Sequence, residues 1–287
     1  MSADLVPTER LASGVIVVRL EQPGRPVVVL DEALMRRLER TLAGLPGQLA
    51  GVILASASER VFVAGADLKA IAERSDAELR AYLAYGSRVF AMLSNLPCPT
   101  CAAIHGAALG GGLEIAMHCD GLIGAPGAKP YPVGLPEAGL SICPGWGGTN
   151  LLPARIDARR AIEMTARGTP MKYPEAQEAG LFDVVAPEAS QLISAAEAWL
   201  LRQPPPQRDG APQRWIGRPG VADRVREGLA SADIPETEPG AAVRSAVEAG
   251  LAVGWGAALD VEQRELTRLR SAPAGRAAIE AFFQKTS

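Results

Sequence analysis

Imidazole and thiol are scarce in this chain. Its 287 residues include two histidines, His105 and His118, and four cysteines. Cys98-Pro99-Thr100-Cys101 is a C-x-x-C, but a zinc site needs a second ligand pair, and Cys119 and Cys143 stand alone. The expectation is therefore no metal, reduced thiols, and Cys101 as a small core residue on a strand. The same scarcity weighs against a serine triad. The stretch "GLSIC" around Ser141 nearly matches a nucleophile elbow, but Cys143 stands where the second glycine belongs. Both histidines also precede the serine, whereas such hydrolases carry the histidine last.

Other classes are missing their signatures as well. No G-K-[ST] phosphate loop and no G-x-G-x-x-G occurs. The net charge is only -3, from 29 Lys and Arg against 32 Asp and Glu, so no basic footprint for nucleic acid is present. The longest uncharged apolar run is broken by Gly106, Gly110, Gly111 and Gly112 and then by Glu114, so no membrane span is expected. The opening "MSADLVPTER" lacks a basic segment followed by an apolar one, and a cytoplasmic protein is the expectation.

What the chain has is apolar material in short and long periods. Hydrophobic residues make up 48%, enough for a large core. Runs such as "GVIVVRL", "GVILASA" and "PTCAAIHG" read as strands, and "DEALMRRLERTLAGL" and "DAELRAYLAYGSRVFAMLSNL" between them read as helices. That alternation predicts crossover βαβ units in an α/β fold. Asp76 is the expected N-cap of the second helix, and Pro97 and Pro99 stop it. The Pro-rich "QPPPQRDGAP" divides an α/β core over residues 1–203 from a helical region over 204–287, where Gly250, Gly254 and Gly256 mark expected bends.

The chemistry is read from three segments. From Pro97 to Leu113 there is no formal charge, and then Glu114 enters behind three glycines, in the first turn of a predicted helix. A lone buried carboxylate costs several kcal/mol unless paired, protonated or hydrogen-bonded. "FVAGADLKA" and "GAALGGGLE" both end in small-residue turns, and two backbone N–H groups from such turns can converge on an oxygen that becomes negative during reaction. The third segment, "LPEAGLSICPGWGGT", carries Glu137. Two carboxyl groups in one apolar cleft do not both ionise, so one is pushed toward the protonated form while the other stays basic. Taken singly, Glu114 could merely complement a helix N-terminus and Glu137 could be a solvated turn residue.

At "FVAGADLKAI", "CAAIHGAALGGGLEIAMHCD", "LPEAGLSICPGWGGTNLLPARI" and "EAQEAGLFDVV" the sequence resembles the crotonase, or enoyl-CoA hydratase/isomerase, superfamily, over about Val15 to Val185. It is most similar to the hydratase half of multifunctional fatty-acid oxidation proteins. The resemblance implies a crotonase-like spiral of repeated ββα units with a C-terminal helical region that trimerises and covers the acyl and CoA pocket. It implies backbone amides of Ala66 and Gly111 as the oxyanion hole, and Glu114 and Glu137 as the acid/base pair. It places Ala64, Gly65, Asp67, Leu68, Gly110, Pro136 and Gly145 against the CoA thioester. It implies an acyl-CoA substrate, no cofactor beyond its coenzyme A, a homotrimer or dimer of trimers, and a separate 3-hydroxyacyl-CoA dehydrogenase as partner. Enoyl-CoA hydration is the expected reaction. Double-bond isomerisation on the same scaffold is the nearest alternative, followed by a thioester hydrolase or decarboxylase, and then a non-catalytic or RNA-binding member. Two positions depart from the family pattern: the usual Asn-x-Leu appears as "LDEAL", and Ser141 replaces a common glycine.

Overall fold

The computed structural model describes residues 4–286. Along the chain the strands are β1 (Thr8–Arg10), β2 (Val15–Leu20), β3 (Gly51–Ser56), β4 (Val61–Val63), β5 (Thr100–Ile104), β6 (Ala107–Leu109), β7 (Gly121–Gly124), β8 (Pro132–Gly134), β9 (Met171–Lys172) and β10 (Val184–Val185). The helices are α1 (Glu32–Ala43), α2 (Leu68–Glu73), α3 (Asp76–Asn95), α4 (Gly111–Met117), α5 (Gly148–Leu151), α6 (Ala158–Arg167), α7 (Tyr173–Glu178), α8 (Leu192–Leu200), α9 (Ala222–Ser231), α10 (Glu238–Ala252), α11 (Trp255–Ser271) and α12 (Pro273–Thr286). They group into two compact units, which α3 enters in turn.

The first unit comprises Met1–Gly65, Arg88–Val133 and Met171–Gln213. Its main sheet has the order β1-β2-β3-β5-β7-β10, parallel throughout except for the β1 edge. Parallel strands are covered on both faces and so read as unbroken apolar runs. On one face Val15, Val17, Ile53, Ala55, Cys101, Ala103, Ile123 and Ala125 pack under Leu192, Ala196 and Leu200 of α8. Gly121 is small because the Trp199 ring lies where its Cβ would be. Cys101 is thus a strand residue of the core, and burial pushes its thiol up, away from reactivity. A smaller sheet, β4-β6-β8-β9, follows beside these elements in sequence.

The second unit comprises Ala66–Ser87, Gly134–Pro170 and Arg214–Ser287 and is helical. Helix α10 packs along α11, and α6 packs on α9 and α10. Of the three glycines expected to bend this region, Gly254 does so. Its φ of +131° separates α10 from α11, while Gly250 and Gly256 lie inside helices. The start of α3 also differs from expectation. Ser75, not Asp76, is the cap: Glu78 accepts from the Ser75 N–H at 2.9 Å and from its hydroxyl at 2.7 Å, a reciprocal box around the helix start. Asp76 instead accepts hydrogen bonds from Arg270 and Ser271 of α11.

Candidate active site

In the first unit, β4 and β6 run parallel as neighbours, so the chain leaves both at the same end. The turn after β4 is tied down by backbone bonds: the Ala64 N–H donates to the Val28 carbonyl and the Gly65 carbonyl accepts from the Leu30 N–H, both at 2.8 Å. Gly65 has φ +116°, and a Cβ there would sit 3.2 Å from the Leu109 carbonyl oxygen, so the two turns touch. The turn after β6 passes through Gly110 at φ 52° and ψ -126°, a conformation open to glycine alone. Helix α4 then starts. The Leu113 and Glu114 N–H groups both donate to the Gly110 carbonyl. Gly111, the first helical residue, has no carbonyl one turn back to receive its amide. Gly112 lets α4 sit directly on Val63 of β4. Glu114 follows within this first turn, 1% exposed, where the helix N-terminus favours negative charge.

In the second unit, Ala66 leads into Asp67, whose Oδ1 accepts from the Ala70 N–H at 3.1 Å and caps α2, with Leu68 as its first residue. The Asp67 carboxylate is therefore committed to the helix start. Pro136 precedes a single 3₁₀ turn, Glu137–Leu140, closed by the Ile142 N–H on the Glu137 carbonyl at 3.2 Å. Helix α12 packs on both α2 and this turn. Gly168 lies against this turn, where a Cβ would run into the Gly139 nitrogen and the Pro136 carbonyl oxygen. The Glu137 side chain is half-buried overall, but its Oε2 is out of contact with solvent and has no hydrogen-bond partner among the described residues. Burial, reinforced by the charge of Glu262, pushes its carboxyl well above the usual range. Gly145 is packed: a Cβ there would meet Leu266 and Leu83.

Sequence reasoning missed Glu262. It lies on α11 with 0% exposure and accepts the Gly147 N–H at 2.5 Å and the Thr149 N–H at 2.9 Å. "DVEQRELTRLR" is so rich in charge that one buried glutamate does not stand out, and its donors lie 113 to 115 positions earlier. Among the described residues no cluster of His, Cys, Asp and Glu could hold a metal ion, and no helix is long and apolar enough to cross a membrane.

Comparison with known proteins gives a consistent picture. A family model described as Enoyl-CoA hydratase/isomerase matches residues 10–204. An enoyl-CoA hydratase from Bacillus anthracis is 28% identical, covering 98% of this chain and 96% of its own, with a TM-score of 0.61. Human mitochondrial delta3-delta2-enoyl-CoA isomerase shares the fold at 24% identity, covering 98% and 97%, with a TM-score of 0.70.

Proposed function

Because the chain belongs to the enoyl-CoA hydratase/isomerase family, we propose that it adds water across the 2,3 double bond of a 2-enoyl-CoA thioester to give a 3-hydroxyacyl-CoA. The observation that carries this reading is the setting of Glu137, whose Oε2 is shut off from solvent and has no donor among the described residues. Burial pushes its carboxyl up, which suits it to carry a proton and give it up. Glu114, at the N-terminus of α4, is suited to the opposite role.

In this reaction Glu114 takes a proton from water as the oxygen bonds to C3. The electron pair of the double bond moves through C2 onto the thioester oxygen. The Ala66 and Gly111 amides hold that oxygen while it is negative, an arrangement typically worth a hundredfold to a thousandfold per donor. Glu137 then delivers its proton to C2, and exchange with solvent resets both carboxyl groups. The CoA portion lies along Ala64 to Leu68, Gly110 and Pro136. With the Ala64 amide and the Asp67 carboxylate already engaged, the remaining backbone and the Leu68 side chain make those contacts. Gly145 serves the packing beneath. A homotrimer or dimer of trimers built on the helical tail completes the proposal.

Loss of enoyl absorbance over a series of 2-enoyl-CoA chain lengths tests it. Glu114→Gln and Glu137→Gln should each slow hydration by roughly a hundredfold to ten-thousandfold. The double variant should lose far less than the product, because both groups act on one transition state. An isomerase, which moves one proton, would keep near-normal activity in one of the two single variants.

A further inference from the structure

Near the end of α11 stands a buried arginine that the reaction above leaves without a part. Resting on the reading of the Ala66 amide as an oxyanion donor, we propose that Arg270 is a positioning residue that fixes α2, and through it the Ala66 N–H, without touching substrate.

Helix α2 needs an outside hold. Of its six residues only Ile71 is buried, and Lys69, Ala72 and Glu73 line a cavity of about 450 Å³ together with Ile279 and Phe283 of α12. A helix this short is not stable by itself, so its place is set by what grips its two ends. At the first end the Asp67 carboxylate accepts from the Ala70 N–H at 3.1 Å and the Asp67 carbonyl from the Ile71 N–H at 3.0 Å. At the other end the last carbonyls have no acceptor role within the helix. Arg270 takes that end. Its Nη1 donates to the Arg74 carbonyl at 2.7 Å and to the Ala72 carbonyl at 3.4 Å, and its Nη2 donates to Asp76 Oδ1 at 2.6 Å.

The grip starts from a fixed body. Arg270 is 8% exposed and belongs to the last turn of α11, which packs along α10. From the gripped end to Ala66 every link is a hydrogen bond or a peptide bond. The Arg74 N–H donates to the Ala70 carbonyl at 3.3 Å, the Ala70 N–H donates to Asp67, and Ala66 is bonded to Asp67. Releasing the far end of so short a helix therefore frees the near end to move. The planar guanidinium fork reaches a carbonyl and a carboxylate at once, which a single ammonium does not. The neighbouring Ser271 hydroxyl donates to the same Asp76 oxygen at 2.9 Å, a bond to α3 rather than to α2. It supplies the control.

The test compares wild type, Arg270→Ala, Arg270→Lys and Ser271→Ala by steady-state hydration of a short 2-enoyl-CoA and by hydrogen exchange over residues 66–74. A displaced oxyanion donor is missed only in the transition state. Folded Arg270→Ala should therefore lose about tenfold to a hundredfold in kcat, and the same factor in kcat/KM, with KM nearly unchanged. Exchange over 66–74 should quicken. Ser271→Ala should keep the wild-type kcat and exchange. If Arg270→Ala does not fold, Arg270→Lys carries the same test with the same direction of change. A folded Arg270 variant with wild-type kcat, or one that changes KM alone, would overturn the proposal. So would an equal loss in Ser271→Ala, which would trace the effect to α3, or unaltered exchange over 66–74 in the Arg270 variants. Failure of the hydratase reading looks different: the wild type turns over no 2-enoyl thioester, while exchange still reports whether Arg270 holds α2.

Discussion

Ser141 closes the Glu137 turn at φ 56° and ψ 30°, the only positive-φ non-glycine among the described residues. A left-handed conformation costs an L-residue roughly 1–2 kcal/mol, which is the physical reason a glycine is usual there. Part of that cost is offset, because a glycine loses more freedom on folding than a serine. Ser141→Gly should therefore raise unfolding stability by up to about 1 kcal/mol in urea titration, and Ser141→Val, stiff at its branched Cβ, should lower it. A less stable glycine variant would mean that the serine side chain makes a contribution larger than the strain. The departure from the family pattern was legible in the sequence. Its cost was not, since the dihedral is imposed by the turn. The burial of Glu114 was legible for the opposite reason: a single charge closing an uncharged run behind three glycines falls inside an apolar segment, in the first turn of a helix.

At the scale of elements, the Pro-rich segment after α8 looked like a mere break, yet it is clipped to the first unit. Arg208 grips Asp120 with both terminal nitrogens, at 2.6 and 2.9 Å, and donates to the Leu96 and Cys98 carbonyls as well. Asp120 also accepts from the Thr100 N–H and hydroxyl at the head of β5. Both side chains are only 12–13% exposed, so removing one leaves the other short of partners. Arg208→Ala should cost about 2–4 kcal/mol, somewhat moderated by the Thr100 donors that remain to Asp120. Urea midpoints measure that loss, and faster proteolysis between Gln203 and Gln213 should accompany it. An unchanged midpoint would show the segment to be passive. This clip was invisible in the sequence because proline content signals a helix stop but not what a nearby arginine reaches. The sheet was legible, since strands buried on both faces carry unbroken apolar runs. The cap of α3 was not, because Ser75 and Asp76 are both good capping residues and only the reach of Glu78 separates them.

At the scale of the whole molecule, two large apolar side chains of the helical tail stand in solvent. Val253, between α10 and α11, is 79% exposed, and Phe282 on α12 is 41% exposed. Such surface fits an assembly through the tail. Light scattering at micromolar concentration should report a trimer or hexamer, and a clean monomer would remove assembly from the account. The central claim is that two glutamates divide one water between C2 and C3 of an enoyl thioester. Turnover in oxygen-18 water, followed by mass spectrometry of the product, tests it most directly. The account predicts one labelled oxygen at the 3-hydroxyl of a 3-hydroxyacyl-CoA. Conversion of a 3-enoyl thioester to an unlabelled, rearranged 2-enoyl product, with no hydration of 2-enoyl substrates, would contradict it.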